Sequence, residues 1–127
     1  MMTKINIKHI KNLNNDCLRG LAFYRQELGI LKERLEEIAA DNTGKVVAEK
    51  VEHFQNQFMI HSYYLDELKQ LIHGNDKAIE SELLKTSMFV DEDIADKHDQ
   101  LVDKYRTEEK IFNDLRHEFN RFAAEWM

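Results

Sequence analysis

Proline is absent from this 127-residue chain, and glycine occurs only 4 times. Folds made of many hairpins need far more turn chemistry than that, so sandwiches and barrels are excluded. Cysteine occurs once, as Cys17, so no internal disulfide can form and nothing argues for an oxidising compartment. No apolar run approaches the ~18 residues needed to span a bilayer. The opening MMTKINIKHIKN lacks the apolar segment of a secretory signal. These absences lead to the expectation of a soluble, cytoplasmic protein.

Positive charge is also in deficit. Lys and Arg number 18 against 24 Asp and Glu, a formal net charge of -6. Such a chain repels phosphate backbones and anionic lipid, so neither nucleic acid nor a membrane is an expected partner. Lys4, Lys8 and Lys11 are a local exception and read as a solvated lead into a helix. Catalytic signatures are missing as well: no Gly-rich phosphate loop, no G-x-S-x-G elbow, no C-x-x-C and no H-E-x-x-H. No catalytic residue, cofactor or enzyme activity is therefore expected.

What the chain does contain is heptad spacing. Ile10, Asn14, Cys17, Leu21, Tyr24, Leu28, Leu31, Leu35 and Ile38 alternate steps of four and three, which keeps one helical stripe facing a partner. Leu18 and Phe23 widen that stripe. A second stripe runs Val47, Val51, Phe54, Phe58, His61, Leu65, Leu68, Ile72. Beside it, Val46, Met59, Ile60, Tyr64 and Leu71 add apolar surface, which implies more than one neighbour. Between the two stripes Asp41-Asn42-Thr43-Gly44 predicts a tight turn, with a left-handed residue at Asn42 or Gly44 and an N-cap at Thr43. So short a connection makes the two helices antiparallel neighbours.

His73-Gly74-Asn75-Asp76 predicts the end of the second helix and the cap of a short third one. Thr86 to Val90 has poor helix propensity, and Asp91-Glu92-Asp93 suits a new N-terminus. A last stripe follows: Ile94, His98, Leu101, Tyr105, Glu108, Phe112, Leu115, Phe119, Phe122, Trp126. The expected architecture is all-α: one domain over residues 1–127, an antiparallel, four-helix-bundle-like fold of three long helices and one short one. The expected spans are 8–41, 44–74, 76–87 and 91–126, with a hinge at 87–91. The rival is one continuous helix over 76–126. Leu21, Leu28, Leu35, Phe54, Phe58, Leu65, Leu101, Phe112 and Leu115 are the expected core.

Polar residues inside the stripes are the anomalies: Asn14, His61, His98 and Glu108. A polar group facing a core destabilises unless it finds a hydrogen-bond partner, and its best-attested use is to fix register. The leading functional expectation is a non-enzymatic structural or protein-interaction bundle that pairs with itself as a homodimer or with another helical protein. The aromatic C-terminal stripe supplies the candidate interface, Phe119, Phe122 and Trp126. The alternative is a ferritin-like or hemerythrin-like bundle that binds a metal through histidines and carboxylates, with His53, His61, His98 and Glu108 as candidate ligands. Di-iron bundles place Glu-x-x-His on two helices. That motif occurs nowhere in this chain, and the nearest spacing is Glu49-x-x-x-His53.

Overall fold

A computed structural model describes residues 5–83, 89–90 and 92–126. Three long helices make up the fold: α1 (Ile7–Asp41), α2 (Lys45–Leu83) and α3 (Glu92–Trp126). At 1.5 Å per residue α1 and α3 are about 52 Å long and α2 about 58 Å. They run up, down and up, and each packs on the other two. A ladder of two residues per strand, β1 (Ile5–Asn6) with β2 (Phe89–Val90), joins the start of α1 to the approach to α3. The pair is antiparallel, with Ile5 opposite Val90 and Asn6 opposite Phe89.

The heptad stripes are the core. All nine expected core residues are buried, and so are the polar stripe residues Asn14, His61, His98 and Glu108. The count of helices differs from the expectation. Among the described residues the predicted stop at Gly74 and a separate short helix from 76 are not found: α2 runs through Gly74, Asn75 and Asp76 to Leu83, and residues 84–87 of the predicted helix lie outside the described residues. Tertiary contacts explain why. Asp76, the side chain expected to cap a new helix, is engaged across the bundle together with Asn75: Nδ2 of Asn14 donates to Oδ1 of Asn75 at 3.0 Å and to Oδ1 of Asp76 at 2.7 Å. Ile79, one turn further on, is fully buried against Ile7, Ile10 and Ala95. Burying an isoleucine contributes roughly 1.5–3 kcal/mol, more than the ~1 kcal/mol that a mid-helix glycine costs.

The rival helix over 76–126 is not formed either, since α2 ends at Leu83 and residues 89–90 are extended. Residues 87, 88 and 91 of the expected hinge lie outside the described residues. At the other turn the expected left-handed residue is absent. Asn42 is extended, with φ -135° and ψ 117°, and no described residue has positive φ. Asn42 closes α1 through its side chain, donating from Nδ2 to Ile38 O at 2.9 Å and to Trp126 O at 3.3 Å. Gly44, rather than Thr43, supplies the first carbonyl of α2, accepting from Ala48 N at 3.0 Å. Asn6 caps α1, its Oδ1 accepting from Lys8 N at 2.9 Å. Glu92 and Asp93 occupy the first turn of α3, where the helix dipole favours negative charge.

Candidate functional site

Three features could carry function: two polar clusters inside the bundle and one apolar face outside it. The first cluster lies near the β ladder. Both amide hydrogens of Asn14 are used by Asn75 and Asp76, so its Oδ1 accepts, and Nδ1–H of His98 donates to it at 3.1 Å. Burial pushes the His98 imidazole below the usual histidine range, with nearby His9 acting the same way and Asp99 and Asp76 opposing it. The cluster links all three helices and is fully hydrogen-bonded in its interior.

The second cluster sits at mid-bundle. Nδ1–H of His61 donates to Oε1 of Glu108, and the exposure of both side chains is under a tenth. The His61 ring meets the Phe112 ring edge-on at 5.9 Å and 86°. On the α1 side of α3, Glu109 accepts from Tyr24 Oη at 3.1 Å and from Tyr105 Oη at 3.2 Å through the same oxygen. Burial, reinforced by Glu109, pushes both phenols above the usual tyrosine range. Tyr105 reaches this position because Gly20 has no side chain: a Cβ there would stand 1.8 Å from Tyr105 Oη. Burial pushes up the Cys17 thiol as well, with Asp16 adding to it, so little of it is present as the nucleophilic thiolate.

The four metal candidates are not brought together. His61 and Glu108 pair with each other, His98 pairs with Asn14, and His53 lies on the surface with Nε2 3.0 Å from Glu118 Oε1. Among the described residues, no group of three or more His, Cys, Asp or Glu is placed to hold a metal ion. The candidate interface residues have their own places too. Phe119 and Phe122 belong to the core of this chain, packed on Phe54 and Phe58. Trp126 packs partly against the same core, with its indole N–H buried and unpartnered. The apolar C-terminal stripe is thus packed within the chain, and Ile111, next to it in sequence, is exposed.

The third feature is the outer face of α2. Residues 53–65 contain no Lys, Arg, Asp or Glu, in a chain that is 33% charged. Within that stretch Met59 is 65% exposed, Ile60 45%, Tyr63 66% and Tyr64 48%. A groove of about 470 Å³ between α2 and α3 continues the face, with Tyr64, Leu68 and Leu71 on one wall, Ile111 on the other, and Glu108 reaching it from the interior. α2 has the two neighbours expected of it, α1 and α3, yet Val46, Met59, Ile60, Tyr64 and Leu71 stay exposed. Tyr63 escaped the sequence reading, as did Glu109 and the role of Asn75. The spacing held a signal for two of them. Asn75 continues the inner stripe from Leu68 and Ile72 to Ile79, and Tyr63 belongs to an outer stripe of Asn56, Ile60, Tyr63 and Glu67.

Among the described residues no helix is long and apolar enough to cross a membrane. Comparison with protein families, curated proteins and solved structures finds no match to this chain in any of the three.

Proposed function

We propose that this protein is a non-enzymatic structural or protein-interaction bundle that associates with itself. The observation that carries this reading is the wet apolar face of α2. Met59, Ile60, Tyr63 and Tyr64 lie together, half to two-thirds exposed, and none of the described residues covers them. Contiguous exposed apolar patches on a small protein mark interaction sites, and an amphipathic helix offers a ready surface for a second helix. The interior polar clusters fit the same reading. They tie α1, α2 and α3 into one register and so hold the outer face rigid.

The direct test is mass in solution. Sedimentation equilibrium over a range of micromolar concentrations is expected to give a species heavier than the 15.1 kDa chain, with twice that mass as the limiting value. A mass that stays at 15.1 kDa up to the highest attainable concentration overturns the self-association.

A further inference from the structure

The geometry points to one mode of association: α2 pairs antiparallel with α2 of a second copy, about a two-fold axis crossing the outer face between the levels of His61 and Ser62. This inference rests on the self-association proposed above and names the surface and its orientation.

The outer stripe of α2 is symmetric about that level. Asn56, Ile60, Tyr63 and Glu67 are spaced four, three, four, all of them exposed. This is the alternation that lets two helices pack along a seam. A two-fold axis at its centre sets Ile60 against Tyr63 of the second copy and Asn56 against Glu67 of the second copy. Beside the seam Met59 widens one flank and Tyr64 the other. Ile60 then faces a tyrosine ring, a favourable pairing of apolar area.

Charge decides the orientation. Each copy carries -6, so two copies repel unless the surface between them is uncharged. Residues 53–65 are the longest stretch of the chain without Lys, Arg, Asp or Glu, and they lie at the centre of the seam. A parallel pairing would set Glu67 on Glu67, like charges in direct opposition. The antiparallel pairing separates those carboxylates to opposite ends and gives each Glu67 the amide of an Asn56, a donor for an acceptor. Charge also favours a copy over an unrelated partner. A partner for an acidic protein is ordinarily steered and held in register by complementary basic charge. The centre of this face, residues 53–65, offers no charge to complement, whereas the face complements itself.

The experiment combines mass with cross-linking. Tyr63→Glu puts a carboxylate beside the axis in both copies and is expected to weaken the dimer at least tenfold by sedimentation equilibrium, with helical circular dichroism unchanged. Should Tyr63→Glu lose helix, Met59→Gln serves in its place, and a dimer it leaves unweakened overturns the inference. Orientation is read from an equimolar mixture of Asn56→Cys and Glu67→Cys chains, one of them isotopically heavy, treated with a short bis-maleimide. Cys17 is buried and does not compete. The mixed 56–67 product is expected to dominate. Dominance of 56–56 and 67–67 products, or their absence together with the mixed one, overturns the inference. A dimer that persists in Tyr63→Glu with its fold intact overturns the α2 pairing and leaves self-association standing. A wild-type chain that is monomeric throughout overturns both.

Discussion

The two ends of the bundle are packed by different means. At the end where α1 meets α2, Phe54, Phe58, Phe119 and Phe122 interlock, Phe54 and Phe119 edge-to-face at 5.3 Å and 89°. Among the described residues the buried apolar cluster at the β-ladder end is Ile7, Ile10, Ile79 and Ala95. Between that small cluster and the large one lies the layer of Asn14, Asn75 and His98. Aromatic rings bury much area each and add roughly 0.5–1.5 kcal/mol per well-placed pair. Among the described residues the small end has few such contacts and relies on directional hydrogen bonds instead. The aromatic end is therefore expected to set global stability, and the ladder end to open first.

The largest effect should come from Phe119→Ala, which empties a fully buried site at the junction of three other rings. A loss of about 3–5 kcal/mol is expected in urea unfolding. Ile79→Val, at the ladder end, should cost only about 1 kcal/mol. Equal losses would erase the distinction between the ends.

Next is the mid-bundle pair. His61→Leu strands the Glu108 carboxylate in the interior, so a loss near 3 kcal/mol is expected. The double variant His61→Leu with Glu108→Leu should recover most of it, because the stranded charge is gone. A neutral His61→Leu would mean that His61 only fills space.

Gly20→Ala should cost roughly 1–3 kcal/mol through overpacking, despite the better helix propensity of alanine, because its Cβ would stand 1.8 Å from Tyr105 Oη. Tyr105→Leu in the same chain should relieve the loss. A stabilising Gly20→Ala would show that Tyr105 moves aside at no cost.

The smallest effect sharpens the comparison by pH. Burial holds His98 below the usual histidine value, so the unfolded chain takes up its proton first as pH falls. The stability tied to neutral His98 is complete above the unfolded value of ~6.5 and declines as pH drops from there towards the lower folded value. Hydrogen exchange should register this at the ladder end before the aromatic end. Uniform exchange across the bundle, or an NMR titration of His98 at the ordinary value, would contradict it.

Much of the fold was legible because heptad spacing reports a single physical fact, which side of a helix faces a partner. The stripes through Leu21, Phe58 and Phe112 became the core residue for residue, and the polar seam positions Asn14, His61, His98 and Glu108 were all buried as their spacing required. The end of α2 was not legible. Gly74-Asn75-Asp76 carries the local signs of a helix break, and local signs cannot show that Asn14 on another helix will engage Asn75 and the expected cap Asp76. The places of Phe119 and Phe122 were not legible for the same reason. Phe119 and Phe122 look like surplus apolar area on one helix and turn out to meet Phe54 and Phe58 on another.

By itself, the sequence determined the helical class, the buried face of each helix, the tight turn between α1 and α2 and the acidic start of α3. Those follow from periodicity and from local capping chemistry, which act over a turn or two of chain. Only the tertiary structure decided that there are three helices rather than four, that Glu108 pairs with His61 while Glu109 serves two tyrosines, and that the apolar surplus left in water lies on α2 rather than at the C-terminus. Each of these depends on residues tens of positions apart meeting across the bundle. Spacing along one helix fixes which way a side chain faces, but its partner is fixed by the stagger between helices, and that stagger is set by the packed core as a whole.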